Sequence, residues 1–395
     1  MNILIFLFII IVILIYYNYQ NILTTINFNP NYTLGILVNN EDFYLVADML
    51  KKFSNEPIKI VFFKSEIDLL YALNNNKINF SINLEDTITD AINNLNSYTN
   101  ENESFNNLNL VTGLYFNYLY FISNNTKITD EDNKDEIENI LNVEDIFKFY
   151  NNCKRNYILG TEEINSTSFM SMMMILYLYG FNPIPLHEYD KSKTYSNNDI
   201  FYYASDLNDV ISKFNNDILD GIFLVRTNNN KYIKNIINQK DVIFLNISLK
   251  DTIFDDIFSL NYNKKLINLN EYYSNFSIQY NFETRKSRVV LVTNKDTDTQ
   301  VVNSLLNTYY NYNNVIINTL TQKNLDNLNS EHNFFEPLDI AFVNKYLSMH
   351  KASLKFFKEN NFIFDENKKK KLELNNNDKF KHYWKFDKIG LINFD

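Results

Sequence analysis

A single cysteine, Cys153, excludes an intrachain disulfide and any zinc site built on cysteines. The four histidines, His187, His332, His350 and His382, have no H-E-x-x-H or similar spacing, so no histidine metal centre is expected. Only six glycines occur, and none forms a P-loop or a G-x-G-x-x-G phosphate cradle. A basic excess is also missing: 47 acidic residues face 37 Lys and Arg, a formal charge of −10. Non-specific nucleic-acid binding, which needs a basic face to displace counterions, is therefore not expected. No Ser-His-Asp order stands out, and no cofactor is implied. His187 in "PIPLHEYD" lies beside Glu188 and Asp190. A general acid–base pair needs convergence in space, which this spacing does not supply, so the chain reads as a non-enzyme.

What is abundant is Asn, Ile, Tyr, Phe and Lys, and 45% of residues are hydrophobic. A chain of 395 residues can bury a large core in two or three domains. Residues 3–17, "ILIFLFIIIVILIYY", are apolar without interruption. With Tyr16, Tyr17 and Tyr19 at an interfacial position, the segment 1–20 is expected to be an uncleaved single-pass membrane anchor. A basic n-region and a small-residue cleavage site are both missing, and cleavage would instead make the protein secreted. The soluble part is expected on the extracytoplasmic or luminal side.

Beyond the anchor, strand and helix patterns alternate. "YTLGILV" (32–38), "IKIVFF" (58–63) and "INFSIN" (78–83) read as strands. "EDFYLVADMLKKF" (41–53), "SEIDLLYALNNN" (65–76) and "EDTITDAINNL" (85–95) read as helices. The apolar stretch 108–124 is expected to be two strands in succession, followed by a helix over 142–150 capped by Asn142 and a strand over 156–160. A second series follows: a helix over 166–181 stopped by Gly180, helix–turn–strand over 206–225, a helix over 231–238 and a strand over 242–248. A strand over 287–294, a helix over 298–312 and a final helix opened by His350 complete the pattern. Two α/β units of similar rhythm and mostly parallel sheets are implied.

The order of these features resembles the TAXI-type solute-binding receptors of TRAP transporters, over about 33 to 363. Ser65, Asp68, Leu69, Asn76, Asn79 and Asp86 are similar to the family's early Ser/Asn/Asp pattern. "LNLVTGLYFNYLYFIS" resembles the segment that introduces its second lobe. "NVEDIF…ILGTEEINSTS" resembles its S-L-x-D-L…I-G-x-x-x-S-G-T, with Ser166, Thr167 and Ser168 at the last triplet. "KFNNDILDGIFLV" is similar to its G-x-I-D-A-F-F-x-V, Tyr272 to the tyrosine of I-P-A-G-T-Y, and "MHKASLKFFKENN" to its closing L-H-P-G-A-A-R-Y-Y-R-E.

The resemblance implies a two-lobed periplasmic-binding-protein type II fold. Lobe one would be 30–116 with 275–395, lobe two 117–274, joined by a two-crossover hinge. It also implies a membrane-anchored receptor holding a small polar solute between the lobes, with a membrane permease as partner. Tyr44, Ser65, Asp68, Asp86, Ser166, Thr167, Ser168, Arg226 and Tyr272 are the candidate ligand-binding residues. Each serine also suits a plain helix cap, and Arg226 a solvated strand end. The family's glycine-rich first loop is "LVNNED" here, and Glu162-Glu163 stand beside a Ser-Thr-Ser that has lost its glycine. These changes add negative charge and disfavour an anionic ligand. They also motivate the alternative, a structural or interaction scaffold that kept the fold and lost the ligand.

Overall fold

The computed structural model describes residues 32–92, 104–248, 263–269, 281–321 and 347–360, apart from short gaps at 39, 126–127, 130–136, 139, 165, 191 and 228–229. The apolar run 3–17, Tyr272 and the basic tail lie outside the described residues. Among the described residues no helix is long and apolar enough to cross a membrane.

The first series is β1 (Tyr32–Leu37), α1 (Glu41–Phe53), β2 (Ile58–Phe63), α2 (Glu66–Asn74), β3 (Phe80–Leu84) and α3 (Glu85–Ile92). β1 lies between β2 and β3, parallel to both. Helix α1 starts where the Asn40 side chain accepts the Phe43 N–H at 3.1 Å. It carries Glu41 and Asp42 in its first turn and Lys51 and Lys52 in its last, which complements the helix dipole. Phe43, Val46, Ala47 and Leu50 form its buried stripe.

β4 (Leu108–Asn124) is one strand of 17 residues where two were expected. Its apolar run contains no turn-forming pair, and bulges against its partner absorb the twist instead. Gly113 lies under Arg288, whose Cδ would be 2.9 Å from an added Cβ. The short hairpin β5 (Ile128–Thr129) and β6 (Ile137–Glu138) follows. The expected helix 142–150 begins as a 3-10 turn over Val143–Asp145 and becomes α4 (Ile146–Cys153). The Asp145 carboxylate accepts the Asn142 N–H at 2.9 Å.

The second series is β7 (Ile158–Glu162), α5 (Thr167–Leu178), β8 (Asn182–Pro185), β9 (Asp199–Ser205), α6 (Leu207–Asn215), β10 (Gly221–Arg226), α7 (Lys231–Gln239) and β11 (Val242–Phe244). β7 lies between β9 and β10, parallel to both, and β8 extends the edge. Gly180, at φ +81°, ends α5 as expected. β12 (Asn263–Asn268) and β13 (Asn281–Asn294) precede α8 (Thr299–Thr321) and α9 (Lys351–Glu359).

All but the β5–β6 hairpin join one sheet of order β2-β1-β3-β13-β4-β10-β7-β9-β8, with β11 on β4 and β12 on β13. The antiparallel pair β4–β13 sits at its centre and separates the two parallel sets. The architecture is mixed α/β.

The two sets repeat in detail. In each, the flanking helix has nine residues and is capped at its start, by Ser65 on α2 and Asp206 on α6. Each exits through one left-handed residue, Asn76 (φ 57°) and Asp217 (φ 59°). Each strand then begins beside a side chain that accepts a first-strand N–H: Asn79 from Thr33 at 2.9 Å, Asp220 from Ile158 at 2.9 Å. A glycine follows two residues later on each first strand. A Cβ on Gly35 would stand 2.5 Å from both Leu69 and Ile78; on Gly160 it would stand 2.8 Å from Val210 and 2.5 Å from Leu219. Close helix-on-strand approach therefore requires both glycines.

His350 opens α9 as the sequence suggested. It is fully buried, its Nδ1 accepts the Ala352 N–H at 3.3 Å, and its Nε2 lies 3.1 Å from the Thr297 carbonyl. These contacts fix the ring with the proton on Nε2. Phe356 and Phe357 pack on Tyr310 with ring centroids 5.3 and 5.8 Å away.

Candidate functional site

The carboxyl ends of β1, β2, β7, β9 and β10 meet at the junction of the two parallel sets. The amino termini of α1, α5, α6 and α7 face the same place. In open α/β sheets this crevice is where backbone ends leave room for a ligand. A cavity of about 330 Å³ occupies it.

One wall comes from the first set. Val38, Tyr44 and Phe62 line it and stay substantially exposed, with Tyr44 and Phe62 stacked at 6.0 Å. The opposite wall comes from the second set: Glu162, Glu163, Ser166, Asp206 and Tyr232. Lys231 spans the junction and donates to Glu41 at 2.7 Å, which raises its pKa. A smaller pocket of about 20 Å³ adjoins it, bordered by Lys64, Thr167 and Arg226.

Beneath the cavity a buried polar layer ties the sets together. Arg226, 4% exposed, pairs with Glu162 and donates to the Val225 carbonyl at 2.8 Å. Ser168 donates to Glu162 and accepts the Val225 N–H at 3.0 Å. Asp42 accepts from the Thr227 hydroxyl at 3.1 Å and lies 3.5 Å from the Asn230 amide. Burial pushes the Asp42 carboxyl above its ordinary range, opposed by the charge of Arg226. Glu66 accepts from Thr167 on α5 and from Thr87 on α3. Burial pushes Glu66 up to about 7 despite those two donors.

Of the residues singled out from sequence, Tyr44 and Ser166 line the cavity. Ser166 is also the α5 cap, accepting the Phe169 N–H at 3.1 Å. Thr167, Ser168 and Arg226 stand in the buried layer behind it, and Arg226 is not solvated. Ser65 caps α2 by accepting the Asp68 N–H and donates to the Asp68 carboxylate, both at 3.1 Å. Asp86 accepts from Ser287 at 2.9 Å. Ser65, Asp68 and Asp86 do not line the cavity. His187 lies in a 3-10 turn, Leu186–Glu188, away from the cavity lining.

Glu66, Asp206, Thr227, Asn230 and Lys231 were missed. Their common signal is position: each stands where a parallel strand ends or a helix begins on the same side of the sheet. Among the described residues no group of three or more His, Cys, Asp or Glu could hold a metal ion.

No protein-family model matches the chain, and no curated protein matches it. Solved structures with a similar fold include MatC of Rhodopseudomonas palustris with bound malate, at 9% identity and TM-score 0.43, covering 71% of this chain and 84% of MatC. Another is XAC2383 of Xanthomonas citri bound to chloride, at 10% identity and TM-score 0.41, covering 73% and 88%. The GluR0 ligand-binding core of Nostoc punctiforme in complex with L-glutamate has 10% identity and a TM-score of 0.37, covering 73% and 98%. Likeness at this level transfers no residue roles to this chain.

Proposed function

We propose that this protein is a non-catalytic solute-binding receptor of the periplasmic-binding-protein type II kind. It holds a small polar ligand between two lobes, 30–116 with 275–395 and 117–274. The observation that carries this reading is the cavity of about 330 Å³ at the carboxyl ends of both parallel sets. Within the sheet, among the described residues, the β4–β13 pair joins the two parallel sets, so hinge closure about it would open or close that cavity. In this reading the 1–20 segment anchors the receptor beside a membrane permease, with the binding part extracytoplasmic or luminal.

The buried polar layer favours a second reading, a scaffold whose cleft is filled by its own side chains. Glu66–Thr167 and Asp42–Thr227 already join the sets where a solute would bring them together.

Native mass spectrometry of the full-length protein, purified without added ligand, separates the two readings. A stoichiometric small molecule, or a thermal shift with added solute, supports the receptor. A bare mass, with no shift across amino acids, dicarboxylates, amines and sugars, leaves the scaffold.

A further inference from the structure

Among the described residues, the hydrogen bonds that cross the crevice run one way. Second-set groups donate and first-set carboxylates accept: Thr167 to Glu66, Thr227 to Asp42 and Lys231 to Glu41. The Lys231–Glu41 pair is exposed and weakened by solvent. Glu66 and Asp42, at 5% and 4% exposure, are buried. Parting the two sets would return both carboxyls to water.

The two differ in what balances them. Asp42 has the charge of Arg226 beside it, and the Thr227 N–H and hydroxyl face it as well. Among the described residues no Lys or Arg pairs with Glu66. On its own helix Asp68 turns to Ser65. From α3, Asp86 adds a like charge and Thr87 donates at 2.9 Å; from α5, Thr167 donates. Ser287 of β13 answers Asp86, and Arg226 of β10 is held by Glu162 of β7. Lys64, at the small neighbouring pocket, is exposed. A Thr hydroxyl accepts as well as donates, so a protonated Glu66 keeps both of its partners. The ionised form would be buried against two hydroxyls and a second acid.

We propose that Glu66 is a proton-operated latch: protonated, it lets the lobes close on Thr167, and its ionisation opens the crevice. The proposal rests on the two-lobed hinge of the receptor reading and needs no solute. Burial raises Glu66 to about 7 in the shut arrangement, against an ordinary value of 4.5. Below about 4.5 both arrangements hold the proton, and pH does not act on the hinge. From there to about 7 only the open arrangement ionises, so the open share grows with pH, at most about tenfold per pH unit. The Tyr115 hydroxyl favours opening too. It lies buried beside Asp42 and Arg226 without a hydrogen-bond partner, and water would satisfy it once the sets part.

The test is the distance between spin labels on Phe62→Cys and Asn208→Cys, exposed residues on opposite walls of the cavity. The full-length protein carries Cys153→Ser and no added solute. From pH 5.5 to 8 the longer-distance population should grow up to about 30-fold relative to the shorter one, and level off above about 7. Glu66→Gln should hold the shorter distance at every pH, whereas Asp42→Asn should keep the response. Thr167→Val, which removes the bond and leaves Glu66, should favour the longer distance about fivefold at pH 5.5. A response kept by Glu66→Gln, or lost only in Asp42→Asn, would overturn the assignment to Glu66. A distance fixed from pH 5.5 to 8 that changes with malate, L-glutamate or glucose would remove the latch and leave the receptor. A distance fixed under pH and under all three probes would remove the hinge, and the latch with it.

Discussion

The two parallel sets share a backbone and differ in charge. Around β1, the side chain that accepts the first-strand N–H is neutral Asn79, which also accepts from the Thr33 hydroxyl at 3.0 Å. Around β7 the same position holds Asp220, whose two oxygens each take an Arg155 N–H at 2.6 Å. The caps follow suit, Ser65 against Asp206. So do the strand ends that face the cavity, Leu37-Val38 against Glu162-Glu163. Geometry common to both sets is specified by apolar contacts and two glycines. The charge is free to vary around it, and here it accumulates on one side of the crevice.

That contrast can be broken most forcefully at Glu162. Glu162→Ala would leave the Arg226 guanidinium buried without its carboxylate, a loss of about 3–5 kcal/mol, read as a fall in the urea midpoint. In the first set the comparable buried pair is Glu85 on α3 with Arg288 of β13, at 3.2 Å.

Glu66 supplies the next effect, and it belongs to the first set. Its pKa is raised to about 7 in the folded protein. Folding therefore favours the protonated carboxyl. The stability this contributes is full below the ordinary Glu range and is lost as pH rises from about 4.5 through about 7. The window spans a change on the order of 3 kcal/mol. Thermal melts from pH 4 to 8 should show the decline, and Glu66→Gln should flatten it.

A matched pair sharpens the comparison further. Asp220→Ala removes the acceptor for the Ile158 N–H and the two Arg155 bonds, and should cost about 2–3 kcal/mol by denaturant titration. Asn79→Ala removes the neutral equivalent and should cost about 1 kcal/mol. Equal losses would mean that the charge at Asp220 adds nothing.

The smallest difference concerns the caps. Ser65→Ala and Asp206→Ala should each cost about 1 kcal/mol, with Asp206→Ala the larger of the two because a carboxylate also answers the helix dipole. Raised salt should narrow the gap between them.

Much of the fold was legible because its signals are local. Helical spacing marked α1 through Phe43, Val46, Ala47 and Leu50, Gly180 marked the end of α5, and His350 marked the start of α9. β4 was divided in two because an unbroken apolar run has no period to show its length. β8 was hidden by Pro183 and Pro185, which an edge strand tolerates and a central one does not. β12 lacks the strong apolar content that marks a central strand, and reads "NKKLIN".

The site was legible only in part. Ser166 and Tyr44 could be singled out from their neighbours in sequence. The bonds from Thr167 to Glu66 and from Thr227 to Asp42 join residues in different sets, far apart in sequence, and no spacing rule reaches across such a distance.

The central strand pair carries a consequence for how the chain is made. β3 is completed by β13, through Leu84 against Val289 and Phe80 against Thr293. At about 5–20 residues per second, the roughly 200 residues between them leave the ribosome over some 10–40 seconds. Throughout that interval the nascent first set has a bare strand edge at β3, besides the outer edge of β2, open to pairing with other chains. Slow synthesis makes this edge the molecule's period of greatest risk, and a chaperone that shields exposed strands during translation would act there before anywhere else.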